Sequence, residues 1–186
     1  MRHLRGSTFD EYVEYYLLRE KRKNPTQVLP GTAPARFDVM RSDHSGKLRR
    51  WFEKARWCVV LLDLQELESL VFLESDWTKA EGLVVKDGVN YRLLGKVAER
   101  AIGSNYLSRT SAQRHLDYYR TFKSCQFRLE GSSRLVICSS SADERRDNPA
   151  GQYYLHDGTG RALSYMILVK EDAAMFDPVE AFLAQE

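Results

Sequence analysis

The sequence predicts an α+β fold, a single domain with a small mixed β-sheet packed by helices. Three observations carry this. Trp57–Leu62 is a continuous, valine-bearing apolar run of strand length, the pattern of a strand buried on both faces. Cys125–Leu129 and Arg134–Cys138 are alternating runs around Glu130-Gly131-Ser132-Ser133, which reads as a hairpin. A glycine-rich turn before Arg161 leads into an almost wholly apolar segment reaching Val169, a helix buried on most sides.

In chain order, Ser7 to Arg22 is a helix. Ser7 or Thr8 caps it, Asp10 or Glu11 closes a capping box, and Phe9, Tyr12, Val13, Tyr16 and Leu17 form one stripe. Asn24 to Arg36 holds three of the five prolines, so residues 1–40 divide into that helix and a Pro-rich arm. Lys47–Lys54 reads as a short basic helix with Leu48, Trp51 and Phe52 inward, and Trp51 and Trp57 as core residues. After the strand Trp57–Leu62, Asp63 caps a helical stretch Leu64–Leu70. Leu83–Val85 reads as a strand ending in the turn Lys86–Asn90.

Residues 91–123 read as a helical insertion. Leu94, Val97, Ala98 and Ala101 mark one helix ended near Gly103, and Thr110–Lys123 marks another, with Thr110 and Gln113 as its capping box. His115 lies on the second as a surface or half-buried residue, since no second His or Cys falls at ligand spacing. Tyr153–Leu155 is a strand of bulky residues, Thr159–Val169 a buried helix, and Asp177-Pro178 the start of a last helix through Leu183.

The 186 residues fit one domain, and a net charge of +2 is too small to argue for nucleic acid by itself. The three cysteines, Cys58, Cys125 and Cys138, are odd in number and lie in apolar runs without metal spacing. They read as reduced, non-catalytic thiols of a cytoplasmic protein. No apolar run approaches membrane-spanning length, and the first residues lead into no signal-peptide core.

The chemistry centres on His156-Asp157-Gly158-Thr159-Gly160, read as a tight turn with two glycines free to take positive φ. A helix opening after such a turn aims free N–H groups at it, which makes an anion site. Arg161 falls in the first helical turn, where the macrodipole disfavours a cation. Either an anion lies between it and the helix end, or it pairs with Asp157 and fixes the turn.

Asp157-Gly158-Thr159-Gly160-Arg161-Ala162, between a short strand and an apolar helix, resembles the Asp-Gly-x-x-Arg-x-x-Ala segment of the ParB/sulfiredoxin-like superfamily. It is most similar to the free-serine-kinase branch, whose loop is usually Asp-Gly-His-His-Arg or Asp-Gly-His-Thr-Arg. The resemblance covers about a dozen residues. Gly160 stands where that branch has His or Thr, and Ser164 near its usual small Ala. No cysteine lies in the loop, so the resemblance does not carry sulfiredoxin chemistry. Glu144-Arg145-Arg146 looks like the Gly-Glu-Arg-Arg phosphate motif of ParB proteins, but it lacks the glycine, and Asn148-Pro149 stops the helix that should follow.

The resemblance implies a kinase using ATP or ADP with Mg2+, acting on a small hydroxyl-bearing substrate such as a free amino acid. It assigns phosphate binding to Gly158, Thr159, Gly160 and Arg161. Asp157 or His156 would face the substrate or the metal, with His156 also a candidate base. Glu74 is the best match for the carboxylate base, with Asp76 and Glu66 behind it. No residues are assigned as dedicated metal ligands. Two other readings stay open. One is a non-catalytic nucleotide-binding or nucleic-acid-associated module, nucleases included, using the basic stretches Arg19–Lys23 and Lys47–Arg56. The other is a structural, partner-binding protein in which the turn only joins a strand to a core helix.

Overall fold

The computed structural model describes residues 1–23, 51–72, 75–86, 90–125, 134–139 and 153–185. Its strands are β1 (Arg2–Ser7), β2 (Arg56–Leu62), β3 (Leu135–Ser139), β4 (Tyr153–Asp157) and β5 (Val179–Gln185). Its α-helices are α1 (Phe9–Lys23), α2 (Leu64–Glu68), α3 (Asp76–Ala80), α4 (Leu94–Gly103), α5 (Gln113–Cys125) and α6 (Thr159–Glu171). The strands form one mixed sheet in the order β1-β2-β5-β3-β4. Only the β3–β5 pair is parallel. The fold is therefore α+β with a mixed sheet, as the sequence predicts.

Successive residues of β2, β3 and β5 enter two different apolar layers. Cys58, Val60, Ile137 and Leu183 pack with α4, α5 and α6. Trp57, Val59, Val136 and Phe182 pack with α1 and the helical turn at 51–54. Burial on both faces is why β2 and β3 carry unbroken apolar runs. Trp57 stacks on Tyr12 with ring centroids 4.9 Å apart, and its indole N–H donates to the Phe52 carbonyl at 2.9 Å. The outer edge of β4 is covered by Val71, which accepts from the Leu155 amide and donates to the Tyr153 carbonyl.

Several expectations hold. Thr8 accepts from the Glu11 amide at 3.1 Å, so it is the cap of α1, while Ser7 belongs to β1. Asp63 caps α2 in a complete capping box with Glu66. Four expectations fail, each for a physical reason. Leu83–Val85 is not a strand: the Leu83 and Val84 amides turn back onto the Thr78 carbonyl, burying those two side chains without a ladder. Cys125 ends α5 rather than starting a strand, and residues 126–130 lie outside the described residues. β3 itself pairs with β4 on one edge and β5 on the other.

The segment after Asp177-Pro178 is the third failure. It is strand β5, not a helix, although Ala, Glu, Leu and Gln favour helices. Its alternation decides: Val179, Ala181 and Leu183 face one layer, Phe182 and Ala184 the other. The predicted box of Thr110 and Gln113 is the fourth, since Thr110–Ala112 is a 3-10 turn that runs into α5. The sequence reading also passed over β1. That edge strand is nearly all exposed, so it lacks a buried face to betray it.

Phe182 is fully buried between Tyr12, Tyr15 and the Arg134 guanidinium. Urea unfolding of Phe182→Ala should show a loss of about 3–5 kcal/mol. Glu180→Ala, which breaks only a half-exposed pair with Arg134, should cost under about 1 kcal/mol. Similar small losses for both would contradict a central β5.

Candidate functional site

The site is built where β4 passes into α6. The expected five-residue turn is in fact one residue. His156 and Asp157 remain in β4, Gly158 alone takes the left-handed conformation (φ 86°), and Thr159 and Gly160 are already helical. A β-carbon at Gly158 would fall 2.7 Å from Leu135 Cδ2 and 2.9 Å from Arg161 Nη2, so space as well as φ requires glycine there. The second glycine serves another purpose. A β-carbon at Gly160 would fall 2.6 Å from His115 Nε2, so its hydrogen lets the α5 imidazole stand against the first turn of α6.

Arg161 is buried (6 % exposed) and folds back under Gly158. Its Nη2 donates to the Arg134 carbonyl at 3.3 Å and lies 3.9 Å from Asp157 Oδ2. The same carbonyl accepts from Tyr15 Oη at 3.0 Å, tying α1 to the turn. Of the two alternatives for Arg161, this is the geometry of the Asp157 partner.

His115 holds the other side. Its Nδ1 lies 2.6 Å from Tyr106 Oη, and its ring packs at 5.1 Å from Trp77. Burial first, and then Arg114, hold the imidazole down at about 4, with Glu81 opposing. Burial, helped by Glu81, pushes the Tyr106 phenol up to about 12. The pair is therefore a neutral phenol against a neutral imidazole near pH 7. The Cα–Cβ direction of a helical residue tilts toward the helix N-terminus. His115 Nε2, which lies on that side of Gly160, thus stands at the first turn of α6. The first turn of α6 is therefore faced by a neutral imidazole.

The structure sets His115 against Gly160 and folds Arg161 back onto Gly158, but not all the expected residues gather there. A β-bulge pairs Asp157 with Val136 and Leu155 with Ile137, leaving His156 as the extra residue. The His156 ring packs edge-on to Phe52 at 4.8 Å, in the α1-side layer and not against α6. Asp157 lies across from Val136, another residue of that layer, and meets Arg161 there. Glu66 is engaged in the α2 capping box and pairs with the Met1 amino group. Asp76 opens α3. Glu74 and Glu144-Arg145-Arg146 lie outside the described residues.

Sequence reasoning passed over His115 and Tyr106 as site residues. Their spacing matches no ligand motif, and the signal that pointed to them was Gly160 itself, a glycine inside a helix start that needs no positive φ. A separate open cleft of about 700 Å3 lies at the start of α1, lined by Phe9, Asp10, Glu53, Arg56 and Trp57 among others. It belongs to the β2 end of the sheet, three strand spacings or roughly 14 Å from β4. Cys58 and Cys138 are buried free thiols, and burial pushes the Cys58 thiol up, away from nucleophilic use. No helix among the described residues is long and apolar enough to cross a membrane. Comparison with protein-family models, curated proteins and solved structures returned no match.

Two measurements test this geometry. Gly160→Ala gains about 1 kcal/mol in helix propensity but drives a methyl into His115, an overpacking that costs about 1–3 kcal/mol. The cycle of Gly160→Ala with His115→Ala should show a coupling of that size, and additive effects would contradict the contact. Acid titration tests the imidazole. The folded His115 value of about 4 lies below the ordinary 6.5, so the unfolded chain binds the proton first. Its contribution is full above pH 6.5 and is lost as pH falls toward 4. His115→Gln should flatten the stability slope in that window. The carboxylates held low by their partners, Glu81 and Glu99, lose their share below about pH 4.5.

Proposed function

We propose that the protein binds a phosphate-bearing small molecule, a nucleotide such as ATP or ADP, with a phosphate at the start of α6. The observation that carries this reading is the placement of His115 Nε2 against Gly160 at the start of α6, where a proton on Nε2 would add a neutral side-chain donor to the N–H groups of the helix start. Gly158, Thr159 and Gly160 supply the backbone of the seat, and Arg161 stiffens it through Asp157 and the Arg134 carbonyl. Phosphoryl transfer to a small hydroxyl-bearing substrate, with Mg2+, is the activity that the resemblance of the turn implies. ATP would supply the transferable group in that reaction. The chain's part is to position it and to offer donors to its oxygens.

A second reading, a structural or partner-binding protein, is favoured by one observation. Arg161 is sequestered by groups of its own turn, as a residue that fixes a connection would be. Thermal-shift titration with ATP and ADP, with and without Mg2+, separates the two. Binding at about 100 times Kd stabilises by about 2.7 kcal/mol, well within reach of the assay. The proposal expects a shift for wild type. For His115→Gln it expects affinity weakened about 2–10-fold, the worth of one hydrogen bond. Arg161→Ala should lose about 1.5–3 kcal/mol of stability through its charged hydrogen bonds. The absence of any nucleotide-dependent shift would leave the structural reading in its place.

A further inference from the structure

From the burial of Tyr106 and its contact with His115, we infer that the Tyr106 hydroxyl donates its proton to His115 Nδ1. That contact fixes the ring as the Nε2–H tautomer and makes Tyr106 the positioning residue of the α6 seat. The inference deepens the phosphate-binding reading and rests on it only for the ligand. The assignment of the proton stands on the contact alone.

Tyr106 is fully buried, and His115 Nδ1, 2.6 Å from its hydroxyl, is its hydrogen-bond partner among the described residues. Two arrangements fit that distance. If Nδ1 carried the proton and the phenol oxygen accepted it, the phenol's own proton would be buried with no acceptor among the described residues, an arrangement folded proteins rarely keep. If the phenol donates, both groups are satisfied and the ring proton must sit on Nε2. The neutral state of the ring is secured by its surroundings. Burial first, and then Arg114 on the same helix, keep the proton off, against Glu81, which is held by Arg109 at 3.0 Å, and the Tyr106 phenol facing the ring is itself neutral.

A donor at Nε2 decides what the seat can take. That N–H then stands at the first turn of α6, where the backbone N–H groups give the helix its positive end. Their common complement is an oxygen acceptor, such as a phosphate or carboxylate oxygen. An ammonium or amide N–H would meet only donors. Had Nε2 been the bare nitrogen, the seat would have paired an acceptor with donors and lost this preference.

Nitrogen-15 NMR of the His115 ring in the intact protein, assigned against His115→Gln, reads the proton directly. The expected spectrum of wild type is the Nε2–H tautomer with a midpoint far below the ordinary 6.5. Tyr106→Phe should mix the tautomers and raise the midpoint by about half a unit to one unit, the share of one hydrogen bond. Its affinity for ATP with Mg2+ should weaken about 2–10-fold. An Nδ1–H ring in wild type, or a Tyr106→Phe ring unchanged in both tautomer and midpoint, overturns the inference. If Tyr106→Phe fails to fold, the wild-type tautomer alone decides. If ATP binds neither protein, the nucleotide reading falls, while the ring spectrum still decides the role of Tyr106.

Discussion

The structure depends on the burial of α6. Nine of its thirteen residues, Arg161 to Val169, are buried among the sheet, α4 and α5. A helix enclosed on all sides cannot begin in a loose loop, because its first N–H groups would then lie inside the protein without water. The chain enters it through a single left-handed residue, Gly158, straight from β4. The enclosure also accounts for Ser164, whose hydroxyl returns to the Gly160 carbonyl at 2.8 Å and so hides its polarity within the helix. Only near the far end does charge reach solvent, where Lys170 bridges Glu68 and Glu99.

The same enclosure distributes the polar groups around the α6 start. A buried guanidinium needs a partner, and Arg161 has one in Asp157 on the α1 side of the sheet. On the α5 side the first turn meets an imidazole kept neutral by burial. The ion pair and the neutral imidazole are thus divided between the two sides of the turn. The seat proposed here would hold an anion by dipoles and hydrogen bonds, with Arg161 at a remove. It would orient a phosphate well without binding it through a direct ion pair.

The sequence made much of this legible. The apolar runs of β2 and β3, the stripe of α1, the cap of α2 and the buried length of α6 could all be read from periodicity and capping chemistry. What escaped had non-local causes. β5 is built from helix-favouring residues and is a strand because β2 and β3 flank it. Cys125 closes α5, a helix held by its packing on α6. His115 and Gly160 are 45 positions apart, and only the packing of α5 on α6 reveals that the glycine makes room for the ring. At the candidate site, the turn and Arg161 were visible from residue types, whereas the imidazole that faces Gly160 was not.

The central claim is that the start of α6, faced by His115, is where a ligand phosphate sits. It is tested most directly by following the backbone amide resonances of the whole protein through a titration with ATP and Mg2+. The account predicts saturable shifts concentrated at Thr159 and Gly160, with the His115 ring moving at the same concentrations. Saturable shifts at Phe9, Arg56 and Trp57 with the α6 start unmoved, or no shifts at all, would contradict it.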